Sequence, residues 1–228
     1  MQPNNYSVVR TEASVLATNK VLRNTYLLLG ATFVFSALCA AIAMLSNVTL
    51  PGGFSGLLIM IIGMYGLLFL TVRLRNSPWG LLSVFAFTGF MGFILGPLLN
   101  LYLQTFSNGA ELIMTALGGT GIIFFGLSAY ALSTRKDFSY MGGFLFVAIL
   151  VAVLASLAAV IFGMPLLQLA VSAAFVLICS GLILFHTSQI IHGGETNYIM
   201  ATISLYIALY NMFVSLLQIL SAFSGNRD

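Results

Sequence analysis

Seven apolar runs, each long enough to cross a bilayer and each closed by a short polar break, divide this chain. A spanning helix needs about 20 mostly apolar residues, because each adds about 1.5 Å against a hydrocarbon core of about 30 Å. The runs cover residues 25–45, 54–72, 79–103, 111–132, 140–162, 165–191 and 198–223. Their breaks are Ser46-Asn47 with Pro51-Gly52-Gly53, then Arg73, Arg75 and Asn76-Ser77-Pro78, then equally short polar stretches. Trp79 opens the third run and Pro165 the sixth. Only 6% of the residues are charged and 60% are hydrophobic, whereas a soluble domain carries about 25% charged residues. So few charges cannot clothe a water-facing surface, so the apolar excess faces lipid. The fold class is therefore all-α: a polytopic membrane domain over residues 25–223, after a polar tail at 1–24 and before a short end at 224–228. Short connections make neighbouring helices antiparallel within one bundle.

The basic residues set the orientation. Arg10, Lys20 and Arg23 lie in the tail, Arg73 and Arg75 in the 2–3 loop, and Arg135 and Lys136 in the 4–5 loop. Only Arg227 falls on the other side, beside Asp228. The tail and the 2–3, 4–5 and 6–7 loops are expected in the cytoplasm and the C-terminus outside. No cleavable signal is expected, because the polar tail includes Glu12 and the first apolar run is long enough to stay in the bilayer. The tail contains Pro3 and paired asparagines and lacks apolar periodicity, which reads as a loosely ordered segment. A net charge of +3 with no basic patch argues against a nucleic-acid partner. Cys39 and Cys179 each lie within an apolar run and read as small packing residues.

Gly89, Gly92 and Gly96 recur along the third run, with Pro97 directly after them. Gly92 and Gly96 form a small-xxx-small face that admits a second helix, which is how helices associate when lipid removes the hydrophobic drive. Pro97 can kink the helix, so a hinge or pore lining is the other reading. Gly118-Gly119-Thr120-Gly121 in the fourth run invites the same packing interpretation. In the seventh run Ser204, Ala208, Asn211, Ser215 and Gln218 share one helical face. Amides are costly in hydrocarbon, so that face should turn inward and make the last helix central, surrounded by the other six.

Ser172, Cys179 and His186 share a face of the sixth run. His186 is an ionisable group within a span, hence a functional candidate, and imidazole is the side chain that titrates near neutral pH. A hydrogen-bonded interfacial histidine is the bland alternative. His192 and Glu195 could join it as metal ligands, but two glycines between them leave the geometry open. A structured loop is the other reading. No nucleophile–base set, Walker loop or dinucleotide fingerprint occurs, so the chain does not read as an enzyme and no cofactor is implied.

Gly80-Leu-Leu-Ser83, then Gly92-Phe-Ile-Leu-Gly-Pro97, then Ala116-Leu-Gly-Gly-Thr120 resemble the signature of the Bax inhibitor family of membrane proteins. The chain departs from it at Gly121, where the family usually has alanine. Polar loop segments agree as well: Lys20-Val-Leu-Arg-Asn-Thr-Tyr26, Thr134-Arg-Lys-Asp137 and Ile191-His-Gly-Gly-Glu-Thr-Asn-Tyr198. So do Gly63-Met-Tyr-Gly66 and the stretch from Leu205-Tyr206 to Asn211. The resemblance implies a seven-helix bundle with a central last helix in a bacterial inner membrane. It also implies association with a membrane-anchored AAA protease of the FtsH kind, which the protein restrains as a slowly processed substrate. The family's other activity is a pH-sensitive calcium leak attributed to two aspartates. The matching positions here are His186, in Leu184-Phe-His-Thr187, and Ala208, in Leu205-Tyr-Ile-Ala208. Two functions thus stand against each other: a regulatory partner of the protease, favoured by the missing acids and the polar tail, and a pH-responsive ion leak.

Overall fold

The computed structural model describes residues 5–48 and 53–225. They form seven helices: α1 (Asn5–Leu45), α2 (Gly53–Leu74), α3 (Trp79–Thr105), α4 (Gly109–Thr134), α5 (Met141–Ile161), α6 (Pro165–Ile191) and α7 (Tyr198–Ser224). Six of these contain stretches long and apolar enough to cross a membrane, and α2 adds a shorter apolar stretch, Leu58–Leu74. The chain is a polytopic, all-α membrane protein. Residues 1–4, the Pro51-Gly52 turn and the 226–228 end lie outside the described residues.

The helix ends follow local chemistry. Pro165 takes the first turn of α6, where its missing N–H costs nothing. Gly163, at φ 59°, reverses the chain after α5, and Met164 N returns to Ala159 O at 2.9 Å. Such a left-handed residue is the ordinary helix stop. Arg135 takes the same conformation after α4, at φ 48°.

One expectation needs correction. The tail was expected to be loosely ordered, yet α1 runs without a break from Asn5. Neither proline nor glycine occurs between Asn5 and Arg23, while Glu12, Ala13, Leu16, Ala17, Lys20 and Leu22 are good helix formers. The costly step in helix formation is nucleation. With the membrane span already helical, extending it by one residue at a time is cheap.

The last helix is central, but four helices rather than six surround it. α7 packs against α1, α4, α6 and, over a shorter length, α3. α2 rests chiefly on α3 and α5 chiefly on α6. The reason is visible in α5, where Phe144, Val147, Val151, Leu154, Leu157 and Val160 are all exposed. A helix apolar nearly all round is content in lipid on most of its faces. Polar and small residues must instead be spent where helices meet. Accordingly Ala201, Thr202, Ala208 and Ser215 of α7 are buried.

Candidate functional site

α1 and α3 approach closely along the glycines of α3, and theirs is the most extensive helix contact in the bundle. A Cβ placed on Gly92 would collide with the backbone carbonyl of Ser36. One on Gly96 would come within 2.8 Å of Ala40 O and 2.6 Å of Ala43 Cβ. The opposing α1 residues, Ser36, Ala40 and Ala43, are small and buried. Gly92 and Gly96 therefore seat α1. Pro97 lies within α3 and borders a cavity of about 850 Å³, lined also by Asn47, Asn100, Gln104 and Tyr210. The glycine run of α4 behaves otherwise: a Cβ on Gly118 or Gly121 would meet open space, and Gly119 has only Leu216 at 3.5 Å. Close packing explains the α3 glycines, whereas Gly118 and Gly121 of α4 have no such neighbour.

Across the α1–α3 seat lies a residue that sequence reasoning missed. The hydroxyl of Tyr206, on α7, is 2.7 Å from Ser36 Oγ and donates to the Thr88 carbonyl of α3 at 3.2 Å. With its single proton committed to Thr88, its oxygen accepts from Ser36. Tyr206 is 1% exposed, and its ring packs against Phe33 and Phe87 at 5.2 and 6.1 Å. One phenol thus joins three helices. A buried tyrosine hydroxyl in lipid demands a partner, which was the available signal. Tyr206 lies two residues from both Ser204 and Ala208, which puts it off the polar face that those residues define.

The expected polar face of α7 is inward only in part. Ala208 and Ser215 are buried, while Ser204, Asn211 and Gln218 are half-buried. Gln218 Oε1 accepts from Ser172 Oγ of α6 at 2.6 Å, whereas Asn211 Nδ2 turns back to Ile207 O of its own helix at 2.8 Å. His186 is half-buried, with its ring edge-on to Phe185 at 5.3 Å. Cys39 and Cys179 are free thiols.

At the bundle end where the α2–α3, α4–α5 and α6–α7 turns meet, the α6–α7 turn acts as a clasp. His192 Nδ1 lies 2.9 Å from Ser188 O and Nε2 lies 3.1 Å from Arg135 O, so the ring bridges α6 to the α4–α5 turn. Ser188 Oγ accepts from Phe138 N at 2.9 Å. Glu195 Oε1 accepts from Asn197 N at 2.8 Å. Asn197 Oδ1 then caps α7 by accepting from Ile199 N and Met200 N. Asn197 Nδ2 donates to Arg75 O at 3.1 Å and Asn76 Oδ1 at 2.9 Å, on the α2–α3 turn. His192 and Glu195 are thus occupied by backbone and loop partners. Among the described residues no group of three His, Cys, Asp or Glu side chains is placed to hold a metal ion. Ser139, through its side chain and then its amide, hydrogen-bonds the exposed Asp137 carboxylate and holds it below the usual carboxylate range.

The family model described as "Inhibitor of apoptosis-promoting Bax1" matches residues 18–225. The chain is 54% identical over 207 residues to the "Modulator of FtsH protease YccA" of Escherichia coli strain K12, covering 91% of this chain and 92% of that one. It is 50% identical over 226 residues to an uncharacterized protein of Pseudomonas aeruginosa, covering 99% of this chain and all of the relative's 100%. An uncharacterized membrane protein of Vibrio cholerae is 45% identical, over 92% and 93% of the two chains.

Proposed function

The chain belongs to the Bax inhibitor family, and from that membership we propose that it modulates a membrane-anchored AAA protease of the FtsH kind. In this reading it lies in a bacterial inner membrane with its N-terminal end in the cytoplasm and its C-terminus outside. It engages the protease and its associated membrane proteins as a slowly processed, substrate-like inhibitor rather than as an enzyme. The observation that carries the reading is the 54% identity, over nearly the whole of both chains, to a relative named as a modulator of that protease.

The shape of α1 supports it. Its 41 residues at about 1.5 Å each make a helix about 60 Å long, roughly twice a hydrocarbon core. The span itself begins near Thr18. The preceding residues extend beyond the bilayer and offer an ATP-driven protease a handle. Behind them stands a bundle that gives way slowly, so an engaged protease is kept from other substrates.

The test is a deletion within residues 2–18, followed by pulse-chase turnover in cells containing the protease. Slower turnover is expected, together with retained copurification and stronger competition against other membrane substrates. Unchanged turnover would refute the substrate-like mechanism. The ion-leak reading lacks comparable support, because His186 and Ala208 stand where the family's acids are expected.

A further inference from the structure

We propose that the Tyr206 hydroxyl, by tying Ser36 to Thr88, sets how strongly the bundle resists extraction from its N-terminal end. This rests on the preceding reading for its biological meaning, though not for its physical content. A pull applied ahead of Asn5 loads α1 before any other helix, since α1 begins there. It is a poor place to start. α1 packs more extensively on α3 than any other pair of helices in the bundle, and it also touches α7 and α6. The peripheral helices α2 and α5 pack less extensively, but both follow α1 in the chain, so the pull reaches them only after it.

What opposes the first slip can be worked out from the register. Moving α1 by four residues toward its N-terminus, about one helical turn, brings Ala40 to the place of Ser36. Alanine fits against Gly92 as serine did, so sterics there allow the step. The hydroxyl that donates to Tyr206 is lost, however, and Tyr206 keeps only Thr88. The same slip brings Met44 to the place of Ala40 and Asn47 to the place of Ala43, whose Cβ faces Gly96; both places are buried and now hold only a methyl group, so a larger side chain must be forced into each. The hydrogen bond and the steric wedge, a turn apart, therefore resist together. Neither is exchanged for water during the slip, because Ser36 and Tyr206 are buried at 6% and 1% exposure inside a region that water does not reach.

The bond between Ser172 and Gln218 serves as an internal comparison. It is of the same kind and is 2.6 Å long, but it joins α6 to α7 and α1 takes no part. Losing it should weaken the bundle without easing the first movement of α1.

The full chain, in a supported bilayer, would be pulled at constant force by a single handle at its N-terminus. The lifetime of the first extension step is read for four variants. Ser36→Ala should shorten it about threefold, in keeping with one hydrogen bond in a membrane interior. Tyr206→Phe should shorten it by a similar factor, since the slip breaks the same Ser36 bond and leaves the Thr88 bond in place. The double variant should match Tyr206→Phe, because both changes remove one shared bond. Ser172→Ala should leave the first step unchanged. Unaltered lifetimes in Tyr206→Phe, additive effects in the double variant, or equal shortening by Ser172→Ala would each overturn the proposal. Turnover by the protease is followed in parallel, where Tyr206→Phe should be degraded faster by a similar factor. A shortened first step with turnover insensitive to both Tyr206→Phe and the tail deletion would uphold the tie and reject protease modulation.

Discussion

Asn197 donates its side-chain amide to the carboxamide oxygen of Asn76 at 2.9 Å, so the residue that starts α7 also holds the turn between α2 and α3. Its other side-chain atom caps two backbone amides. Asn197→Ala removes both functions. Loss of a helix N-cap costs about 1 kcal/mol, and the lost loop bonds add to it. Asn197→Asp keeps the cap acceptor and loses only the donor, so it should fall between wild type and alanine. Thermal unfolding of the three proteins in one detergent, followed by circular dichroism, ranks them. Asp as destabilising as Ala would show that the loop bonds outweigh the cap.

Gly92 and Gly118 make a paired prediction about helix packing. Gly92→Ala places a Cβ on the Ser36 carbonyl and must push α1 away from α3, an overpacking cost of about 1–3 kcal/mol. Gly118→Ala meets nothing within 4 Å and should be neutral or stabilising by up to about 1 kcal/mol through helix propensity. Unfolding in SDS titrations measures both. A Gly92→Ala protein as stable as wild type would mean that α1 is not seated on α3.

The acid response of the α4–α5 turn follows from Asp137. Its carboxyl is held below the usual range by Ser139. A depressed folded value means that the stabilisation is present above the unfolded value, about 3.9. It is lost as pH falls through the folded value. Protection of the Ser139 amide, which donates to Asp137 Oδ1 at 2.8 Å, should persist through neutral and mildly acidic pH and fail only as pH falls through the depressed folded value. Hydrogen exchange read at that amide across pH 3 to 7 tests it, with loss already at pH 5 to 6 as the contrary result.

Calcium flux is the activity most easily inherited from the family by analogy. Calcium takes about six to eight oxygen ligands, usually including carboxylates. An imidazole at His186 and a methyl group at Ala208 supply neither oxygen nor negative charge. The purified protein in liposomes should show no appreciable pH-gated calcium flux, while His186→Asp with Ala208→Asp should raise it. Robust flux from the unmodified chain, abolished by His186→Ala, would promote the leak reading over protease modulation.

The sequence by itself determined the number of helices, the limits of most of them and the burial of the last one. Each of these depends on local quantities: run length against bilayer thickness, the residues that stop a helix, and the cost of amides in lipid. Pro165 at the start of α6 could be read directly, because proline acts on its own backbone. The small-xxx-small face at Gly92 and Gly96 was also legible as a helix seat. Its partner was not. That Ser36 rather than another small residue lies on Gly92, and that Tyr206 reaches across to it from 170 positions away, was decided only by the tertiary structure. The same holds for the α4 glycines, which invited the same packing interpretation, although a Cβ on Gly118 or Gly121 would meet open space. The loop residues His192, Glu195 and Asn197 stood out in the sequence as polar matches, yet their service as a clasp became visible only with the turns they join. A helix's periodicity reports which of its faces is apolar or small. In lipid, where no hydrophobic drive selects one neighbour over another, the choice of neighbour rests on close backbone fit and on single hydrogen bonds. Those are properties of two surfaces at once, and one strand of sequence carries only half of each.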